Sequence, residues 1–184
     1  MSWYTKRVKL GACTVGAVAA AVLAAGTTPA AASGTFSGLA YVYGAGTFGD
    51  DWNNEGVLST STHAYSNATC LWQKILWADG KIASSSDIDG IFGTQTYNAT
   101  KAWQQSYGDG LLTVDGVVGK GTFGRAGGWV GWTGGSEAAG QTLNLIYVGT
   151  AHRFDLKRDT DGNYQFVDGD GAWRKAGYDY RSCS

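Results

Sequence analysis

"DIDGIFGTQT" at residues 87–96 and "TVDGVVGKGT" at residues 113–122 are two versions of one phrase. Each runs Asp-Gly, an apolar pair, Gly, two variable residues and Thr. In Asp89-Gly90-Ile91-Phe92-Gly93 the glycines take positive backbone angles without steric cost, and the Asp carboxylate accepts hydrogen bonds from amides of the turn. The apolar pair between them is then directed into a core, and Thr94 or Thr96 is placed to supply an N-cap oxygen to the helix that follows. Asp115-Gly116-Val117-Val118-Gly119 repeats the arrangement, with Thr122 as the corresponding hydroxyl. The phrase therefore predicts two loops, each locking the entry to a helix, and two Gly-rich loops of this kind are suited to framing a groove.

The flanking residues supply the helices. Ala68, Leu71, Trp72, Ile75 and Leu76 follow the i, i+3, i+4, i+7, i+8 spacing of one apolar face, which predicts a first helix from Asn67 to about Asp79-Gly80. Tyr97, Ala99, Ala102, Trp103 and Tyr107 mark a second helix over 96–107, stopped by Gly108 and Gly110. A short third helix is expected over 119–125, before Gly127-Gly128 breaks the chain. Beyond Trp129 the runs "TLNLIYV", "HRFDLKR" and "YQFVD" are separated by Gly- or Asp-rich turns and predict a small antiparallel meander. Residues 33–66, rich in Gly, Ser, Thr and aromatics, read as a lead-in with one short strand in "LAYVYGAG".

Taken in order, "CLWQKILWADG", "DIDGIFGTQTYNATKAWQQSYG" and "GLLTVDGVVGKGTFGRA" resemble the peptidoglycan-binding domain that accompanies bacterial and phage cell-wall hydrolases. The family pattern is a helix containing Leu-Gln, an Asp-Gly-x-Phe-Gly-x-x-Thr turn, a helix ending Phe-Gln, then Gly-Leu, a second Asp-Gly-x-x-Gly turn and Thr-Trp. Here Trp72-Gln73, Trp103-Gln104 and Thr122-Phe123 stand at the three dipeptides, and the resemblance covers residues 67–126. It implies a compact three-helix fold that binds peptidoglycan without catalysis, through a shallow groove near the turns and the second helix. The positions that carry over are Asp89, Ile91, Phe92, Thr94, Thr96, Tyr97 and Asp115. Gly108-Asp109-Gly110 is an insertion relative to tighter members and is expected to reshape the groove edge. For Phe92 and Trp103 core packing is the simpler role, and for Asp89 and Asp115 it is turn formation.

The N-terminus carries a separate message. Lys6, Arg7 and Lys9 precede an apolar run from Leu10 to Ala25, and Pro29-Ala30-Ala31-Ala32-Ser33 has the small residues of a cleavage site. Residues 1–32 thus read as a secretory signal peptide, with Ser33 as the mature start and no stable membrane insertion after cleavage. Cys13 in "LGAC" has most of the apolar run after it, where a lipoprotein cysteine would have the run before it. Cleavage would leave about 152 residues, enough for one ordinary domain or a small domain with an extension. It would also remove three positive charges, taking the formal charge from -1 to about -4. Such a chain has no basic stripe of the kind nucleic acid or an anionic membrane requires. Cys70 and Cys183 remain, and an even count in an oxidising compartment favours a disulfide.

No catalytic pattern emerges. His63 and His152 lie in no metal-binding spacing, and a zinc site would have to borrow a carboxylate such as Asp155, which reads more simply as a surface partner of Arg153. No serine occupies a Gly-x-Ser-x-Gly elbow, and Glu55 and Glu137 sit in Gly/Ser/Asn-rich stretches. "DTDGNYQFVDGD" places Asp159, Asp161, Asn163 and Asp170 at positions one, three, five and twelve of a calcium-type loop, but Tyr164 stands where that loop needs Gly. Asp159 to Asn163 is therefore expected to be a hairpin turn. No cofactor or metal is expected.

The expectation is an α+β protein: a signal peptide (1–32), a lead-in (33–66), a three-helix peptidoglycan-binding-like module (67–127) and a β-rich antiparallel extension (128–184). It is expected to be secreted, monomeric and bound non-covalently to peptidoglycan, through glycan or stem peptide. The alternatives are a small cell-wall hydrolase or peptidase with its chemistry in 128–184, or an extracellular interaction or inhibitor protein that uses the same module.

Overall fold

The computed structural model describes residues 38–183. The expected signal peptide and its cleavage at Ser33 lie outside the described residues. Three α-helices, α1 (Asn67–Ala78), α2 (Thr94–Tyr107) and α3 (Lys120–Gly127), precede a five-stranded antiparallel sheet. Its strands are β1 (Val130–Gly135), β2 (Leu143–Val148), β3 (Arg153–Arg158), β4 (Tyr164–Val167) and β5 (Trp173–Lys175), joined as a meander in chain order. The α+β expectation holds.

Helix α1 starts where the Ser66 hydroxyl accepts from the Thr69 amide at 3.0 Å, and it ends at Asp79, just before Gly80 at φ +68°. Its spacing predicts one apolar face, yet nearly every residue of the helix is buried. The reason lies at the far end of the chain. The amides of Asn67 and Ala68, which have no partner inside the helix, donate to the carbonyls of Tyr180 and Gly177 at 2.8 and 2.9 Å. The Asn67 carboxamide adds bonds to Lys175 O and to the Ser182 amide, at 2.9 and 2.8 Å. The C-terminal tail thus covers the helix start, and the Cys70–Cys183 disulfide fixes it there with a Cα–Cα separation of 6.6 Å.

The sheet lays its inner face against the helices. Leu143, Leu145 and Tyr147 of β2, Phe154 and Leu156 of β3 and Phe166 of β4 are buried, while Asn144, Val148, Arg153 and Asp155 point outward. The three predicted strands are present as β2, β3 and β4. The flanking two are additions. Strand β1 (Val-Gly-Trp-Thr-Gly-Gly) has no apolar alternation and a bulge between Trp132 and Gly134, and β5 has only three residues. The Asp159–Asn163 connection is a hairpin turn, in which Asp159 Oδ1 accepts from the amides of Asp161 and Asn163.

The lead-in is woven into the same core. Val42 bridges two segments, donating to Ala176 O and accepting from the Tyr164 amide. A 3-10 helix, Phe48–Asn54, rests on α3 and sets Trp52 edge-on to Phe123 and Tyr164. Beside it Asp51 and Arg158 form a salt bridge of 2.8 Å with side chains only 1% and 4% exposed, and Tyr164 donates to the same carboxylate. Such a pair persists because its other hydrogen-bonding positions are filled, here by the Ala45 amide on Asp51 and by Gly46 O and Glu137 O on Arg158.

Glu55 closes this layer, accepting from the Tyr43 amide at 2.9 Å and from the Tyr178 hydroxyl at 2.5 Å. Burial pushes its carboxyl up to about 7. A carboxyl that binds its proton more tightly when folded stabilises fully below its unfolded value near 4.5, and that contribution is lost as pH rises through 7. Stability in urea is therefore expected to fall on the order of 3 kcal/mol between pH 5 and 8. Glu55→Gln should flatten that slope, and an unchanged slope in the variant would disprove the assignment. Reducing the disulfide, which closes a separation of 113 residues, should cost about 4 to 5 kcal/mol of unfolding free energy, read by denaturant titration with and without reductant.

Candidate functional site

The two echoed turns are each held by a buried glutamine. Gln73, on α1, makes five hydrogen bonds to the first turn. Its Nε2 donates to Asp89 Oδ1 (2.9 Å), Ile91 O (3.2 Å) and Thr96 Oγ1 (3.0 Å), while its Oε1 accepts from the amides of Asp89 (3.0 Å) and Gly90 (2.7 Å). Gln104, on α2, repeats the set on the second turn. Its Nε2 donates to Asp115 Oδ1 (3.0 Å), Val117 O (2.8 Å) and Thr122 Oγ1 (3.2 Å), and its Oε1 accepts from the Gly116 amide (2.9 Å). The helix entered through one turn thus supplies the anchor of the next.

Asp89 and Asp115 complete the turns. Oδ1 of each also accepts the amide two residues on, from Ile91 and Val117, both at 2.9 Å. Both residues are exposed, and Oδ2 of each makes no hydrogen bond among the described residues. The turn carboxylates are therefore structural through one oxygen and open to solvent through the other.

Gly90 and Gly116 are required twice over. Their φ values are +69° and +75°. A Cβ on Gly90 would also lie 2.8 Å from the sulfurs of Cys70 and Cys183, and one on Gly116 would enter the Tyr97 ring. The disulfide consequently sits beneath the first turn, and Arg181 of the tail donates to Asp89 O at 2.8 Å.

The threonines do not cap. Gly93 and Gly119 occupy the N-cap positions and offer no side chain. Thr96 stands at the third residue of α2, from where its hydroxyl reaches back to Ile91 O at 3.2 Å and meets Gln73. Thr94 is exposed.

Of the residues singled out in the sequence, Phe92 and Thr96 are both 2% exposed and support the turn from within. Ile91 and Tyr97 are half-buried, and Asp89, Thr94 and Asp115 are exposed. Thr94, Tyr97 and Lys101 succeed one another along α2, with the Lys101 ammonium 5.7 Å from the Tyr97 ring centre. Tyr97 lies against Gly116, so the first turn, this stripe of α2 and the second turn make one continuous surface. Beside the second turn it dips into a groove of about 210 Å³, lined by Leu111, Leu112, Thr113, Asp115, Lys120 and Thr122. The Gly108-Asp109-Gly110 insertion shapes that edge: Asp109 at φ +48° pairs with Arg125, and Leu111 is left 84% exposed.

Sequence reasoning missed the two glutamines as anchors, although the dipeptide Trp-Gln occurs at 72–73 and 103–104, on the helix before each turn. It also missed Leu111 and Lys120, which only the folded loop brings to the groove. The histidines are packed elsewhere. His63 tilts on Tyr178, with Nδ1 3.1 Å from Tyr178 O, and His152 stacks on Trp77 at 4.2 Å.

Residues 67–125 match the model of the family described as putative peptidoglycan binding domain. The match takes in α1, both turns, α2 and most of α3, which are the residues on which the sequence resemblance rests; the sheet lies outside it. Comparison of the chain with curated proteins and with solved structures gives no match.

If Gln73 organises the first turn as described, Gln73→Glu should be more damaging than its size suggests. The new carboxylate cannot donate, and it would face Asp89 Oδ1 and Ile91 O in a buried position. A loss of about 3 kcal/mol or more in urea unfolding is expected. A change below roughly 1 kcal/mol would show that the turn does not depend on the amide.

Proposed function

We propose that the protein is a secreted, monomeric cell-wall protein that binds peptidoglycan non-covalently. The observation that carries this reading is the coincidence of the family match with the continuous surface of the two turns and α2. Two Asp oxygens, the Thr94 hydroxyl, the half-buried Tyr97 ring and the Ile91 side chain give that surface acceptors, a donor and apolar contacts. Such a mixture suits a chain of amino sugars and short peptides, which presents amides, hydroxyls and methyl groups together. Phe92 and Thr96 contribute by fixing the backbone beneath it. The disulfide supports an oxidising destination. Residues 67–127 form the binding module in this reading, and 128–184 an extension that steadies it through the tail and the sheet.

Binding is tested by co-sedimentation of the oxidised protein with purified insoluble peptidoglycan, with turbidity followed in the same tube. Pelleting at constant turbidity is expected. Tyr97→Ala, which removes the ring between the turns, should weaken pelleting about tenfold, and Asp115→Asn should weaken it less because Oδ1 keeps its turn bonds. Clearing of the suspension would transfer the function to hydrolysis. Protein left in the supernatant would overturn the reading.

A further inference from the structure

Lys74 is the residue after the anchor of the first turn, and its ammonium is unusual. It is only partly exposed, yet makes no hydrogen bond and no ion pair within 4 Å among the described residues. Aromatic rings flank it, with the centres of Trp77 and Phe154 at 5.9 and 5.4 Å. The Trp77 ring is itself stacked parallel to His152. Lys74 opens onto a cleft of about 320 Å³ between the helices and the sheet, whose other lining residues are Ser85, Ser86, Ile88, Asp168 and Gly169.

What the Lys74 ammonium lacks among the described residues is a hydrogen-bond acceptor. Asp168 is the acidic lining residue, and its two oxygens take up Arg174 Nε at 3.1 Å and the Gly169 amide at 2.8 Å. Arg174 also pairs with Asp170, so the two cations and two carboxylates about the cleft balance, and Lys74 is the one of these cations with no carboxylate oxygen within 4 Å. Burial lowers the Lys74 pKa, and Asp168 offsets only part of that. A carboxylate entering the cleft would replace the lost water as the partner of the ammonium. Ser85 and Ser86 bring hydroxyls to the lining that can meet an amide, Ser86 Oγ being shared with Ser84 Oγ at 2.7 Å, and buried Ile88 offers an apolar wall to a methyl group. Ile88 directly precedes Asp89, so the cleft adjoins the first turn.

We propose that this cleft is a subsite for the free C-terminal carboxylate of a peptidoglycan stem peptide, with Lys74 as its cationic partner. The proposal rests on the wall-binding reading and specifies the part of the polymer that is recognised. A carboxylate next to an amide and a methyl-bearing carbon, as at the end of a peptide closing in alanine, presents the three groups that the cleft's lining complements. The glycan strand would then follow the surface of the two turns while a stem enters beside it.

The test is an NMR titration of the oxidised full chain with a synthetic stem tetrapeptide ending in D-alanine, as the free acid and as its C-terminal amide, with acetate as the bare anion. The free acid is expected to bind at least tenfold more tightly than the amide, and to raise the Lys74 pKa read from its side-chain carbon resonance. Lys74→Met, which keeps the apolar stem against the rings, should erase the acid-over-amide preference, and Lys74→Arg should restore part of it. Equal affinity for acid and amide, an unchanged preference in Lys74→Met, or no binding of either peptide would overturn the subsite. Acetate binding as tightly as the peptide acid would overturn the stem-peptide assignment and leave only an anion site. A fold check by thermal melting accompanies each variant. Failure of the parent reading is scored separately: wild-type protein that does not pellet with peptidoglycan defeats wall binding, whereas the Lys74 preference is read from soluble peptide alone.

Discussion

A buried primary amide that satisfies a turn from both its ends is the interaction on which this fold depends. A glutamine side chain carries two donor hydrogens and two acceptor lone pairs on one planar group, so it can bind a carboxylate and a carbonyl on one side and backbone amides on the other. Gln73 and Gln104 do so for the two Asp-Gly turns. Glutamate would lose the donors and lysine the acceptors. The same constraint explains the fixed company of the turn. Asp is needed to present an oxygen to the amide, Gly to allow the positive φ, and Thr three residues into the helix to close the ring of bonds.

From those anchors the order of the structure follows. Each glutamine lies on a helix that its own neighbours bury, because Trp72 and Trp103 pack edge-on at 5.2 Å in the core and leave the adjacent position facing the turn. The Trp103 indole then donates to Asp79 at the end of α1, and the Tyr147 hydroxyl of β2 donates to the same oxygen. One carboxylate therefore joins α1, α2 and the sheet. This is how an added β meander becomes part of the core beneath a three-helix module: a polar group at the end of one helix that must be satisfied inside the protein draws donors from a second helix and from the sheet.

Much of this was legible in the residues, for reasons that differ by element. The apolar spacing of Ala68, Leu71, Trp72, Ile75 and Leu76 located α1 because local geometry sets that period. It could not show that the start of the helix is covered, since the cover comes from Tyr180 and Gly177, more than 100 positions away along the chain. The threonines were misread as caps because an N-cap hydroxyl and a hydroxyl three residues inside the helix carry the same turn signature. Only the glycine in between, by occupying the cap, decides which is meant. Strands β1 and β5 left no trace because an edge strand rich in glycine and a three-residue strand owe their form to the neighbour they pair with. Lys74 reads in the sequence as one more charged residue on a helix, and its setting against the Trp77 and Phe154 rings beside the Asp168 turn exists only once these segments close around it.

The surface proposed to meet peptidoglycan and the stability of the chain are tied to the same residues, and this constrains what can vary. Asp89 cannot be exchanged for a better ligand without loosening the turn, nor Gly90 for a side chain without striking the disulfide. Adjustment is free only where no anchor bond is spent: at the exposed Thr94, at Leu111 and Lys120 on the groove edge, and in the cleft around Lys74. Specificity for a particular peptidoglycan should therefore reside at these positions. The repeated turn supplies a rigid frame, and the residues that it does not use for its own bonds are the ones left to discriminate.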